Sequence, residues 1–257
     1  MADILDLITA NKRRETEAMA ALGGDMPSAA PVRPTVSMKK ALTDSPTGII
    51  AEFKRRSPSK GEIHPLALVN EIVPGYEAAG AAACSMLTDT VYFGGALTDL
   101  AVARGCVGLP LLRKDFIVSR RQIAEARIYG ADAILLIAAA LTRREIDDYT
   151  RYAHGLDLEV LFEIHNAAEL EKYCPEVDMV GVNNRDLRTF ATDPRLSATV
   201  ARELPENVVK VAESGITSLS EVRRLRDVGF SGFLIGERFM READPGKALR
   251  EFLHSNP

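Results

Sequence analysis

Cysteine is scarce in this chain: the three residues Cys84, Cys106 and Cys174 show no paired spacing. An odd, unpaired set excludes a disulfide framework and points to a reducing compartment, so a cytoplasmic location is expected. Long apolar runs are also missing, and no stretch approaches the length of a membrane span. Asp3 and Asp6 interrupt the apolar residues of the N-terminus, so no secretory leader is expected, and Glu15 and Glu17 argue against a transit peptide. There is no excess of positive charge. A formal charge of -4 makes nucleic acid and acidic membrane surfaces poor partners. Histidine occurs four times. Glu163 and His165 resemble a pair of metal ligands, but His64, His154 and His254 offer no compatible spacing for the third ligand that a catalytic zinc needs, so no metal is expected. Neither Gly94-Gly95 nor Gly105 with Gly108 makes a dinucleotide fingerprint, because no G-x-G-x-x-G follows a strand. No cofactor is expected.

What remains is an ordinary globular balance of 46% hydrophobic and 26% charged residues over 257 positions, a length close to the roughly 250 of one closed α/β barrel. Residues 2–22 read as a helix, with Ile4, Leu5, Ile8, Ala18, Met19 and Leu22 at helical spacing. Residues 23–27 should end it, and the Ala-, Pro- and Ser-rich stretch to Pro34 reads as a linker. An N-terminal helical extension over residues 1–46 and a barrel over 47–257, together one domain, are therefore expected. From Gly48 onward short apolar runs alternate with longer amphipathic ones. Strands are expected at 49–54, 82–87, 111–114, 133–137, 159–164, 179–183, 208–213 and 232–235. Helices are expected between them, among them 120–129, 143–153 and 219–227, with Gly130, Gly155 and Gly229 as stops. Eight strands alternating with helices imply parallel pairing through right-handed crossovers, which a (β/α)₈ TIM barrel or an open doubly wound sheet would satisfy. The count favours the barrel.

Polar residues collect at the strand ends. Alternation along a strand puts Ile50, Glu52 and Lys54 on one face, as it does Leu112 with Lys114, Leu161 with Glu163, Gly181 with Asn183, and Val211 with Glu213. If the apolar members point inward, Glu52, Lys54, Lys114, Glu163, Asn183 and Glu213 ring one barrel mouth. Burying an unpaired polar group costs roughly 2–7 kcal/mol, so a purely structural core would not gather six. The C-terminal face is where barrel enzymes place their chemistry, and the loops after strands seven and eight are its usual phosphate site. Ser214-Gly215 and Gly236-Glu237 stand there, which points to a small phosphorylated substrate. The loop from Arg55 to Gly61 reads as a mobile cationic clamp. These features fit a phosphoribosyl isomerase-type barrel, or a barrel used only for binding, as well as other phosphate-handling enzymes.

Six stretches decide among these. Ile50-Ala51-Glu52-Phe53-Lys54-Arg55-Arg56-Ser57-Pro58-Ser59-Lys60-Gly61 is the most specific, followed by 87–95, 112–117, Val182-Asn183-Asn184-Arg185-Asp186-Leu187, 211–216 and 234–237. In this order the chain resembles the indole-3-glycerol-phosphate synthase family. The resemblance implies a metal-free and cofactor-free carboxy-lyase of tryptophan biosynthesis. It would close the indole ring of 1-(2-carboxyphenylamino)-1-deoxyribulose 5-phosphate with loss of carbon dioxide and water. It implies Lys114 as the general acid at the substrate carbonyl, Glu163 as the acid/base of dehydration, and Lys54 as the holder of the leaving carboxylate. It further implies Glu52 and Asn183 as groups that orient the lysine and the hydroxyls, with Ser214 near the substrate. Ser57, Arg185, Glu213, Gly215, Gly236 and Glu237 would contact the substrate, Glu237 through its amide. A monomer or weak homo-oligomer is expected.

Overall fold

The computed structural model describes residues 4–21, 33–186 and 189–255. The expected helix end at 23–27, most of the linker after it, and Leu22 and Leu187 lie outside the described residues.

Eight strands form the scaffold: β1 (Ile49–Phe53), β2 (Ala83–Leu87), β3 (Leu111–Lys114), β4 (Ala133–Ile137), β5 (Glu159–Ile164), β6 (Met179–Asn183), β7 (Val209–Glu213) and β8 (Phe230–Ile235). All pair in parallel with their sequence neighbours, and β8 returns to β1 through Ile49↔Phe233 and Ile50↔Leu234 to close the barrel. The first strand stops one residue short of expectation, because pairing with β2 ends at Phe53↔Met86 and Lys54 is free of the ladder. The last strand starts earlier than expected, through a register irregularity between Phe230 and Gly232.

The alternation of side chains separates two cores. Ile50, Leu112, Ala133, Leu135, Leu161, Met179, Val211 and Leu234 fill the barrel interior. Ile49, Ala51 and Phe53, one residue out of phase, belong to the layer between strands and helices. Each of the larger apolar side chains among them contributes about 1.5–3 kcal/mol on burial, and a one-residue slip would reverse every one of them. The crossover helices follow the same logic. Arg143–His154 buries Ile146, Tyr149, Thr150 and Ala153, a stripe at helical spacing, and starts at a Thr142/Glu145 capping box. Gly130 and Gly229 end their helices in left-handed backbone (φ 93° and 96°) as expected. Gly155 also ends its helix, but as a right-handed cap at φ -64°, and Asp157 takes the positive φ of 59°.

Both ends of the barrel are covered. At the N-terminal end of the strands, helix α2 (Met38–Asp44) inserts Met38 and Leu42 into the inner core. Ser37, its N-cap, donates to the Glu159 carboxylate at 2.5 Å. Over the opposite end lies α1 (Ile4–Ala21), with Leu5 and Ile8 buried and Ala18 and Met19 exposed, so only the first half of the expected stripe is used. Lys12 anchors it. Its ammonium is buried 2.8 Å from Asp89 and 3.5 Å from Asp115, in the loops after β2 and β3.

Candidate active site

A cavity of about 410 Å³ opens at the C-terminal ends of the strands, and all twelve residues expected there line it. Strand order divides it. The walls from the loops after β2 and β3 and from the end of β4 are apolar, with Phe93, Phe116, Leu135 and Ile137, roofed by Leu5 and Ile8 of α1. Across the ring, the loops after β7 and β8 supply Ser214, Gly215, Gly236 and Glu237. Charged side chains occupy the floor between them.

Lys114 is the hub of that floor. Its Nζ donates to Glu163 Oε2 at 3.0 Å and lies 3.4 Å from Glu213 Oε2. Burial opposes its charge, but Glu163, Glu213 and Glu52 outweigh burial and hold the ammonium above its ordinary range. The two glutamates then differ. Burial pushes Glu163 up, yet Lys114 on one oxygen and His165 near the other hold it well below the usual carboxylate range. Glu213 has only the more distant contact to Lys114. Burial and the Glu163 charge push it up to about 8, and neither of its oxygens finds another hydrogen-bond donor. Within the coupled pair, proton affinity is therefore lowered at Glu163 and raised at Glu213.

The pairing depends on what β6 lacks. Glu163 on β5 is in register with Gly181, and a Cβ there would lie 2.4 Å from Glu213 Oε1. With no side chain on the intervening strand, carboxyls from β5 and β7 reach the same ammonium. On the other side of the mouth, Glu52 meets Lys54 at 2.5 Å. A Cβ on Gly236 would come within 2.5 Å of the Glu52 carboxylate. The glycine after β8 thus makes room for Glu52, a reason for it independent of any bound anion.

Ser214 and Gly215 leave β7 in consecutive left-handed conformations, φ 66° and 75°. For serine this backbone is strained and must be held from outside. Asn184 holds it: the buried amide donates to the Ser214 carbonyl at 3.0 Å and accepts from the Ser197 backbone N–H and hydroxyl at 3.0 and 2.8 Å. Arg185 spans the mouth from Ser59 Oγ at 2.6 Å to Glu237 at 3.4 Å. Arg241 at 2.8 Å and Lys60 at 3.8 Å complete the cationic surroundings of the Glu237 carboxylate.

The loop after β1 differs from expectation. Arg56–Ser57 and Gly61–Glu62 form a short antiparallel ladder, so the segment is a built hairpin. Its arginines do not face the cavity as cations. Arg55 pairs with Asp99 and the Gly94 carbonyl, while Arg56 donates to the carbonyls of Thr90 and Val91. Their charge ties this loop to the loop after β2, and only Ser57 to Lys60 line the cavity. Arg113, out of phase with Lys114, is buried in the outer layer on Gln122, Thr88 and Asp115. Among the described residues no three His, Cys, Asp or Glu side chains converge as metal donors. No described helix is long and apolar enough to cross a membrane.

Sequence reasoning missed three contributors: Lys12, His165 as a partner of Glu163, and Asn184 as the brace of Ser214. The sequence carries a signal for His165, its i+2 spacing to Glu163 and i−4 spacing to Glu169.

Comparison with known proteins bears on this cavity. A family model described as "Indole-3-glycerol phosphate synthase" matches residues 5–252. A protein of that name from Bacteroides thetaiotaomicron is 50% identical over 256 residues, covering 98% of each chain. One from Azoarcus sp. is 43% identical, covering 97% of this chain and 98% of its own. Among solved structures, the N-acetylmannosamine-6-phosphate 2-epimerase from Clostridium perfringens superposes with a TM-score of 0.60 at 13% identity, over 87% of this chain and 98% of its own, a likeness of fold alone.

Proposed function

Since this chain belongs to the indole-3-glycerol phosphate synthase family, we propose that the side chains at its barrel mouth divide that enzyme's ring closure, decarboxylation and dehydration among them. The chain is a carboxy-lyase of tryptophan biosynthesis, and its substrate is 1-(2-carboxyphenylamino)-1-deoxyribulose 5-phosphate. One observation carries the assignment of roles: a buried ammonium, Lys114, lies 3.0 Å from Glu163 and 3.4 Å from Glu213, between an apolar wall and the glycine-bearing turns after β7 and β8.

The substrate's aromatic ring packs against Phe93, Phe116, Leu135 and Ile137. Its phosphate lies at the opposite wall on backbone N–H groups of Gly215, Gly236 and Glu237, with Arg185 beside them. Ser57 borders the substrate, Asn183 and Ser214 orient its hydroxyls, and Glu52 positions Lys54. The carbon–carbon bond forms between the carboxylate-bearing ring carbon and the ketose carbonyl carbon as Lys114 protonates the carbonyl oxygen. The ring turns cationic, and the surrounding carboxylates stabilise that charge. Lys54 holds the carboxylate that leaves as carbon dioxide, its bonding electrons returning to the ring. In the dehydration Glu163, kept ionised, takes a proton from the intermediate while the hydroxyl departs with a proton from a lysine of the floor. Three free cysteines, two of them buried, support a cytoplasmic setting. Incubation with the substrate should release carbon dioxide and generate indole fluorescence in equal amounts; the absence of both signals would refute the assignment.

A further inference from the structure

His165 has no place in the steps above, yet it touches the base that performs the last of them. Two residues beyond Glu163 on the same face, its ring is almost buried, with a side-chain exposure of 9%. Nε2 lies 3.2 Å from Glu163 Oε1, and Nδ1 lies 3.6 Å from Glu169 Oε2. Glu169 is fixed independently: it accepts from the His165 backbone N–H at 2.8 Å and from Asn166 Nδ2 at 3.0 Å in the turn after β5. Neither ring nitrogen has a hydrogen-bond partner, so each faces its carboxylate as an ion pair, and only the doubly protonated ring is attracted to both without aiming a lone pair at one of them. Burial disfavours the charged ring, but Glu163 and Glu169 outweigh it and push its pKa up to about 10.

We infer that His165 is a positioning residue: a permanent imidazolium that, backed by Glu169, keeps Glu163 ionised and in place while Lys114 passes its proton to the substrate. The inference rests on the proposed roles of Lys114 and Glu163. Before ring closure Glu163 has a cation at each oxygen, Lys114 at 3.0 Å and His165 at 3.2 Å. Once the Lys114 proton has moved to the carbonyl oxygen, the lysine is a neutral amine. Glu163 and Glu213 have lost their shared counter-charge, while Glu52 keeps Lys54 at 2.5 Å. Without a second cation Glu163 would compete with Glu213 for the proton that Glu213 holds, and a protonated Glu163 cannot act as the base of dehydration. The imidazolium remains on its other oxygen and keeps the proton on Glu213.

The test is the pH profile of His165→Asn, with Glu169→Gln as a milder variant that leaves the ring in place. Removing the cation should move the acid limb of kcat up by at least about one pH unit, a tenfold loss at fixed acidic pH, while KM changes less than about threefold. His165→Lys, which restores a cation, should bring the limb back towards the wild type. Glu169→Gln should move it in the same direction by less. An unmoved limb in a variant with native melting temperature would overturn the inference. So would a loss equal at every pH and not rescued by lysine, the signature of a packing role. Ring-nitrogen NMR of the wild type separates this from failure of the wider assignment. A His165 ring neutral at pH 7 refutes the clamp whatever the enzyme catalyses, and a charged ring in a protein that yields no indole product refutes the catalytic assignment alone.

Discussion

Replacing Lys12 by Met would test whether α1 is latched or merely packed over the mouth. The ammonium is 8% exposed and pairs with Asp89 at 2.8 Å, Glu15 at 3.0 Å and Asp115 at 3.5 Å. Breaking a buried pair by removing one partner typically costs about 3–5 kcal/mol, because the other charge is stranded. Here the stranded aspartates keep other partners. Asp89 accepts from the Tyr92 backbone N–H at 2.6 Å, and Asp115 is paired with Arg113 at 3.0 Å and Thr88 at 2.6 Å. A cost of about 2–3 kcal/mol is the better expectation, near that of a charged hydrogen bond. Leu5 and Ile8 contribute about 1.5–3 kcal/mol each through burial, so α1 should stay docked but open more often. At tenfold per 1.4 kcal/mol, its open population should rise roughly 30- to 150-fold. Amide exchange of residues 4–21 should accelerate by that factor with β1–β8 unaffected, and KM should rise because Leu5 and Ile8 roof the cavity. The ammonium's pKa is raised by its aspartates, so the latch is intact below the ordinary lysine range and fails only in strong alkali. Unchanged exchange in α1 would show that burial of the two apolar residues suffices. Acceleration spread over the barrel strands would show that the pair supports the barrel instead.

Three further outcomes are expected. Lys114→Ala should abolish carbon dioxide release in a single turnover, whereas Glu163→Gln should still release some while indole formation falls by roughly 10²–10⁴-fold; rapid release from the lysine variant would reverse the assigned order. Gly215→Ala places a Cβ 2.7 Å from Thr192 Cγ2 on a backbone at φ 75°, so it should weaken inhibition by inorganic phosphate and lower stability by about 1–2 kcal/mol; unchanged inhibition would move the phosphate elsewhere. Glu213, raised from 4.5 to about 8, binds its proton more tightly when folded, so it subtracts stability as pH rises through that window. Glu213→Gln, a mimic of the protonated acid, should gain in melting temperature relative to the wild type from pH 5 to pH 8, and a constant difference would contradict the proton's location.

Period-two alternation was enough to separate Ile50, Leu112, Leu161 and Val211 from Ile49, Ala51 and Phe53, and with them to aim the strand-end charges inward. That is local physics, set by the pleat. What escaped it depends on contacts between distant segments. Lys12 is one of several lysines on a polar helix until Asp89 and Asp115 enclose it. Arg55 and Arg56 read as substrate-facing cations until Asp99 and the carbonyls after β2 take them up. Which glutamate keeps a proton is no property of either residue, since Glu163 and Glu213 differ only in how many cations each can reach.

Gly181 has no functional group, yet it governs how the two carboxyls of the floor share a proton. Their closeness exists only while the strand between them leaves a notch, and a single methyl there would press on Glu213. The position is therefore a tuning point for acidity that works by volume alone. Gly181→Ala should part the carboxyls and weaken the Glu163 repulsion that adds to burial in raising the pKa of Glu213, so Glu213 should hold its proton less tightly. Chemistry at this mouth can thus be altered from a residue that never touches the substrate, by a change that adds neither charge nor hydrogen bond.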